Sequence, residues 1–83
     1  MPWFDVIWND QDPDGNVAHI AEHGIVPDEV EHVLMNATID ELDRQRPPRR
    51  IAAGRTAAGR LIAVVYERID EATVYPVTAF DLE

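Results

Sequence analysis

Residues 49–68, RRIAAGRTAAGRLIAVVYER, decide the fold of this chain. The run from Leu61 to Tyr66 is apolar on both alternating faces, which is typical of a strand that is covered on both sides and lies centrally in a small sheet. Residues 50–53 alternate with period two, as in a half-buried strand. Between the two runs lies Thr56–Gly59, where Gly59 can take the positive φ that a short loop needs. The stretch therefore predicts a β-hairpin whose second strand is the centre of the sheet.

The predicted loop also brings two arginines close together. Arg55 precedes it and Arg60 follows it, so we expect the two side chains to lie nearly opposite each other across the hairpin. Like charges in that position repel each other unless something neutralises them. Two interpretations stay open: acidic side chains pair with these arginines, or an anion binds between them.

Composition limits what the chain can be. Its 83 residues, 46% of them hydrophobic, predict a single globular domain over residues 1–83 with one modest core. The absence of cysteine excludes a disulfide framework and a thiolate metal site. No segment approaches the length of an apolar membrane span, and the N-terminus lacks the features of a signal peptide. We therefore expect a soluble, cytoplasmic protein with no membrane partner.

The formal net charge of −9 is unevenly distributed along the sequence. Residues 1–43 hold eleven acids and no Lys or Arg, residues 44–60 hold six Arg and no acid, and residues 61–83 are again acidic. An acidic chain is untypical of nucleic-acid binders, which disfavours that class. Arginine, however, is the cation best suited to bidentate phosphate contacts.

The remaining elements follow from turn and periodicity signals. Trp3–Trp8 predicts a first strand, with at most one of its two tryptophans in the core and an exposed one suited to a protein partner. A short helix comes next, which either Asp14 or Asn16 can cap and which Gly24 ends. The helical periodicity predicts that its buried face consists of Val17, Ile20 and Ala21.

A second helix begins at Pro27, where proline is favoured, and its buried stripe is predicted to be Val30, Val33 and Leu34. Thr38–Leu42 predicts a short strand, and residues 73–80 predict the last one. Pro76 lies within that last strand, so the strand is expected to be at an edge or to carry a bulge. The predicted fold class is α+β: a small single domain with an antiparallel sheet of three to five strands backed by two short N-terminal helices.

Several short motifs resemble those of one known family. They are Trp8, HIAEHG at 19–24, PDEV at 27–30, GRTAAGRL at 54–61, VVY at 64–66 and VTA at 77–79. Together, over nearly the whole chain, they resemble the BrnT family of bacterial toxins. The resemblance implies a RelE-like ribonuclease fold, inhibition of translation by cutting RNA, and neutralisation by a DNA-binding antitoxin, BrnA.

The resemblance also implies a set of candidate catalytic residues. His23 matches the histidine before the glycine that ends the first helix, Arg55 and Arg60 match the arginines around the hairpin turn, and Tyr66 matches the tyrosine late in the central strand. Typical members continue after the last strand with a basic segment, whereas residues 80–83 here read FDLE. The chain is therefore similar to a divergent member that lacks the basic C-terminus.

Metal-independent RNA cleavage needs a base for the 2′-hydroxyl, an acid for the leaving oxygen and cations for the charge on the phosphate. Arg55 and Arg60 suit the cationic role, and His23, Tyr66 or Glu67 suit the others. The alternative is structural: Tyr66 packs in the sheet as an aromatic, and His23 bonds a carbonyl at the end of a helix.

Residues 19–23 also fit the H-x-x-E-H pattern of some zinc peptidases. Such an enzyme needs a third ligand from a second long helix, for which the chain is too short. The sequence has no phosphate-cradling glycine loop either, so it predicts no catalytic metal and no cofactor.

Two functions therefore remain. The first is a small metal-independent endoribonuclease toxin, or a degenerate relative, with RNA as substrate and a BrnA-like antitoxin as partner. The second is a non-catalytic protein-interaction module on the same scaffold. The enzyme requires Arg55 and Arg60 to be exposed and unpaired on one concave face, whereas the module allows them to pair with acids such as Glu67 or Glu71.

Overall fold

The computed structural model describes residues 5–83. In chain order the elements are β1 (Asp5–Val6), α1 (Asn16–Ala21), α2 (Pro27–Asn36), β2 (Ile39–Leu42), β3 (Arg50–Arg55), β4 (Leu61–Arg68) and β5 (Thr73–Asp81). This order and the α+β class are as the sequence predicted. Trp3, in the predicted first strand, lies outside the described residues.

The five strands form one sheet in the order β1-β5-β4-β3-β2. The apolar run of β4 correctly predicted that this strand is central. The prediction of a purely antiparallel sheet is wrong at one edge, because β1 pairs with β5 in parallel. Parallel neighbours need a long crossover connection, and here it includes both helices. The helices accordingly follow a first strand and do not open the chain.

Both helices pack on one face of the sheet. The buried stripe of α2 is the predicted one: Val30, Val33 and Leu34 all lie in the core. Each packs in a single cluster that includes Ile62 and Val64 of β4. On α1 only part of the predicted face is correct, since Ile20 is buried whereas Ala21 is exposed and Val17 is only half-buried. The short helix ends before Gly24, whose φ of 71° fits the predicted stop.

A buried asparagine ties β1, α1 and β5 together. Asn16 is only 2% exposed and is the first residue of α1; no side chain caps this helix, so neither Asp14 nor Asn16 has the predicted capping role. Its Nδ2 donates to the carbonyl oxygens of Ile7 at 2.8 Å and Pro76 at 3.0 Å. Its Oδ1 accepts from the backbone N–H of Asn9 at 2.8 Å. The amide thus satisfies backbone groups that the two-residue β1 is too short to reach.

The proline of β5 lies beside a bulge, as one of its two interpretations predicted. Tyr66 pairs with Pro76, but the preceding residue Val65 pairs with Thr78, which leaves Val77 as an extra residue. The strand is not an edge, because β1 covers its other side over Thr73 and Val74. Proline is tolerated here because β1 ends before the position where a donor would be needed.

Candidate functional site

The hairpin between β3 and β4 has the predicted loop. The backbone N–H of Thr56 donates to the carbonyl of Arg60 at 2.8 Å, and Gly59 has a φ of 90°. The register places Arg55 opposite Leu61, however, and it is Thr56 that lies opposite Arg60. The two arginines are therefore one position away from the near-opposite arrangement that the sequence predicted.

This offset of one residue sends the two arginines to opposite sides of the sheet. Arg55 shares its face with Ala53, by the two-residue alternation of β3, and that face carries no described helix. Arg60 instead contacts the end of α1, on the face that the helices cover. The two guanidinium groups consequently do not converge on one anion.

Arg60 is fully engaged by groups of the protein itself. Its Nη2 and Nε form a bidentate pair with the carboxylate of Asp81, with Nη2 at 2.6 Å from Oδ2. Its two terminal nitrogens also donate to the carbonyls of His23 and Gly24, both at 2.8 Å. These contacts neutralise the carbonyl end of α1 with a cation. The hydrogen bond with Arg60, together with the charge of that guanidinium, holds the pKa of Asp81 below its ordinary value.

Arg55 also has an acidic partner, although it is more exposed. Its Nη1 lies 2.9 Å from a carboxylate oxygen of Glu83 and 2.8 Å from the carbonyl oxygen of Gly59. The closest acidic partners of the two arginines thus come from the end of the chain, at and just after β5, and Glu29 of α2 adds a longer ion pair to Arg60 at 3.9 Å. Glu67, one of the acids expected to pair with them, instead bonds Arg49 at 3.0 Å. The first interpretation of the arginines, pairing with acidic side chains, describes this structure.

Tyr66 lies at the other end of β4 in a separate cluster. Its hydroxyl donates to the carboxylate of Asp40 on β2, at 2.7 Å from Oδ2. Arg50 donates to the same carboxylate at 3.1 Å. Burial of the ring, together with the hydrogen bond to Asp40, raises the pKa of Tyr66 to about 12. Its phenol is therefore neutral near pH 7 and has no tendency to act as a base there.

The structure brings together only part of the predicted catalytic set. His23 lies beside Arg60 through its backbone carbonyl, and its side chain is exposed at the end of α1. Tyr66 is six residues further along β4 than Arg60, which corresponds to about 20 Å. A single phosphate cannot contact both residues. His23, Arg60 and Asp81 form one cluster, and Asp40, Arg50 and Tyr66 form another.

The two histidines of the H-x-x-E-H pattern are not arranged as in a zinc site. The helix α1 ends at Ala21, so that His23 lies beyond it and does not share a helical face with His19. Within residues 5–83, no three side chains of His, Asp or Glu are grouped so that they could hold a metal ion. In the same part of the chain, no helix is long and apolar enough to cross a membrane.

The sheet face opposite the helices is the other candidate site, and we call it the open face. Ile39, Ala53, Ala63 and Phe80 form one row across four strands of this face, and the next row consists of Glu41, Ile51, Val65 and Thr78. Ile39, on the outer strand β2, is 52% exposed. None of the helices in residues 5–83 packs here, since both join the core on the other side. The open face is thus apolar at its centre, where Ala53 and Ala63 are largely buried by their neighbours, and its exposed apolar surface comes mainly from larger side chains such as Ile39.

Three residues of these clusters were missed by the sequence analysis. Asp40 and Arg50 gave no local signal, because they meet only through the pairing of β2 with β3. Asp81 did have a sequence signal. Because β4 and β5 pair in antiparallel fashion around the turn at residues 69–72, equal numbers of residues on each side place the end of β5 beside the start of β4. A count without the bulge at Val77 would nevertheless have put it on the wrong face.

The chain was also compared with protein-family models, with curated proteins and with solved structures, and none of the three comparisons finds a match. The resemblance to BrnT toxins therefore stays a prediction from the sequence.

Proposed function

We propose that this chain is a non-catalytic protein-binding domain that contacts its partner through the open face. The observation that carries the proposal is that both candidate phosphate-binding arginines are paired with carboxylates, on opposite faces of the sheet. An anion that binds the guanidinium of Arg60 would have to displace the carboxylate of Asp81. It would also have to break the hydrogen bonds that Arg60 donates to the carbonyls at the end of α1. An enzyme that uses both arginines on one phosphate needs a different arrangement.

The open face supports the binding role. Its apolar centre is bordered by charged side chains, with Arg55 and Glu83 at the hairpin end and Arg49 and Glu67 at the other. An apolar centre with a polar rim is typical of protein interfaces. A sheet face of this kind in a small domain is a natural place for a partner, because the helices bury only the other side.

The endoribonuclease hypothesis, with RNA as substrate and a BrnA-like antitoxin as partner, rests on the resemblance of the motifs. It makes a direct prediction: the purified protein cleaves a long single-stranded RNA in excess chelator. The proposed function predicts no such cleavage. Arg55→Ala is the informative variant, because Arg55 is 57% exposed and its replacement should leave the fold intact. Cleavage by the wild type that this variant loses would overturn the proposal.

The binding role itself is tested by cross-linking in the cells that express the chain. A photo-reactive amino acid replaces Ile39 on the open face, and the matched control replaces Val26, which is similarly exposed but lies at the start of α2, on the side of the sheet that the helices cover. We expect a discrete cross-linked protein from position 39 and none from position 26. The absence of any product from position 39, in a folded and well-expressed protein, would contradict the proposed function.

A further inference from the structure

The outer strand β2 keeps hydrogen-bonding groups available at the edge of the sheet. Among residues 5–83 it pairs only with β3, and all four of its residues are exposed. The hydrogen bond from the N–H of Asp43 to the carbonyl of Arg49, at 2.7 Å, fixes which residues face β3. Because bonding alternates along an antiparallel pair, the backbone groups of Asp40 and Leu42 point away from β3.

Most of these outward groups are uncovered. Arg50 donates from Nη2 to the carbonyl oxygen of Asp40 at 3.2 Å, which satisfies one of them. The N–H groups of Asp40 and Leu42 and the carbonyl of Leu42 have no partner in the described part of the chain. Two donors and one acceptor are therefore available to another strand.

The acidic side chains of β2 give this edge only limited protection. Charges on an outer strand commonly prevent non-specific pairing. The carboxylate of Asp40, however, is neutralised by Arg50 and accepts a hydrogen bond from Tyr66 on the helix side of the sheet. Of the described residues of β2, only Glu41 therefore presents a charge without a partner.

Two arginines lie just beyond β2 without an acidic partner. Within residues 5–83, neither Arg44 nor Arg46 forms an ion pair, although the chain as a whole carries −9. Both are exposed. Four other arginines each pair with a carboxylate: Arg49, Arg50, Arg55 and Arg60. The loop after β2 thus offers two guanidinium groups to a carboxylate from outside the chain.

A recess connects the end of β2 with the first of these arginines. Its volume is about 670 Å³, and it is lined by Glu41, Leu42, Arg44 and Pro47. Leu42 is 49% exposed, and Pro47 is exposed as well, so apolar side chains lie here beside a guanidinium group. An extended chain that bonds the backbone of Leu42 passes this recess as it leaves the edge.

From these observations we infer that the edge of β2, together with the recess, binds an extended acidic segment of a partner protein, which adds to the sheet as another strand. The backbone of that segment bonds the outward groups of Asp40 and Leu42. An apolar residue opposite Leu42 packs on its side chain, and an acidic residue beyond it pairs with Arg44. This site is separate from the open face and does not rest on the proposed function.

The test begins with the selection of random linear peptides, displayed on phage, against the purified full chain. We expect the enriched peptides to share an acidic residue beside alternating apolar residues. A synthetic peptide of this kind is then titrated by fluorescence anisotropy. Leu42→Glu should weaken its binding at least about tenfold, because a carboxylate replaces the apolar contact and repels the acidic residue. Val26→Glu is the matched control, since Val26 is 54% exposed but lies at the start of α2, and its Kd should equal that of the wild type.

Two further measurements separate charge from strand pairing. Arg44→Glu should weaken the acidic peptide and strengthen a version of it in which lysine replaces the acidic residue. Strand pairing has its own signature in amide hydrogen exchange. On saturation with the peptide, the N–H of Leu42 should exchange at least about tenfold more slowly. The N–H of Ala58, in the exposed hairpin loop, should exchange as before.

Several results would overturn the inference. They are a selection that enriches no peptide or only peptides without an acidic residue, an equal loss of affinity in Leu42→Glu and Val26→Glu, an acidic peptide that binds Arg44→Glu as it binds the wild type, and unchanged exchange at Leu42. The proposed function fails separately. If no peptide binds the edge, a cross-link from position 39 that persists in Leu42→Glu still supports a partner on the open face. If position 39 cross-links nothing, peptide binding that depends on Leu42 and Arg44 still supports the edge.

Discussion

Asn16 should contribute more to stability than any other polar side chain described in this domain, although it is remote from the candidate sites. Replacing it by alanine removes three hydrogen bonds and leaves the Ile7 and Pro76 carbonyls and the Asn9 N–H without their partner. At about 1 kcal/mol for each bond, the expected loss is about 3 kcal/mol. A domain of this size is stable by only about 4–12 kcal/mol, so the effect is large.

Urea unfolding measures this loss directly. The midpoint of the Asn16→Ala variant should fall by about 1–3 M, with little change in slope, because the slope depends on the surface exposed and not on these bonds. Asn36→Ala is the matched control: its side chain is exposed and donates one bond, to His32 on its own helix. That variant should lose about 0.5 kcal/mol or less.

A second substitution separates hydrogen bonding from packing. Asn16→Asp keeps the size of the side chain and its acceptor, but a carboxylate there faces two carbonyl oxygens in a buried place. Burial and these oxygens raise the pKa of the new acid, so its destabilisation should be relieved as the pH falls through that raised pKa. A loss in Asn16→Ala no larger than in Asn36→Ala, or an Asn16→Asp variant insensitive to pH, would refute the reasoning.

Three further predictions concern β4 and its neighbours. Val64→Ala should cost about 1–3 kcal/mol in urea unfolding, because Val64 is fully buried at the centre of the sheet; a loss near zero would contradict that position. The raised pKa of Tyr66 adds stability that is present below pH 10 and lost as the pH rises towards 12. Between pH 10 and 12, the melting temperature of Tyr66→Phe should therefore fall less than that of the wild type. Tyr75→Phe is the control and should follow the wild type. The lowered pKa of Asp81 adds stability that is present above the ordinary carboxyl pKa and lost as the pH falls through the lowered one. Arg60→Ala should remove this pH-dependent contribution to the free energy of unfolding. An unfolding free energy that depends on pH as in the wild type would count against the ion pair.

The sequence predicted most of the element order because the decisive signals are local. An unbroken apolar run marks β4, proline begins α2 where proline is favoured, and the glycines at 24 and 59 have the positive φ expected of them. Each of these depends on a few neighbouring residues, and the tertiary structure leaves it unchanged.

Features that depend on register could not be read in the same way. The parallel pairing of β1 with β5 depends on how the whole intervening segment, residues 7–72, folds back, and no local pattern encodes it. The face to which Arg55 points depends on one position of offset in the hairpin, and a shift of one residue reverses every side chain. Asn16 has the sequence context of a helix cap. Its buried hydrogen bond to the carbonyl of Pro76 depends on β5, a strand far along the chain, and no local pattern predicts it.

The two hypotheses for the arginines make opposite predictions for removal of their acidic partners. If Asp81 and Glu83 merely block a phosphate site, the double variant Asp81→Asn/Glu83→Gln should gain chelator-resistant RNA cleavage. In the structure, however, Arg55 and Arg60 lie on opposite faces of the sheet, and losing the acids does not bring them together. The proposed function therefore predicts a less stable protein that still cleaves no RNA. Asp10→Asn/Glu71→Gln is the control, with the same change in net charge at exposed positions. Cleavage by the first variant and not by the second would establish the site as a masked ribonuclease.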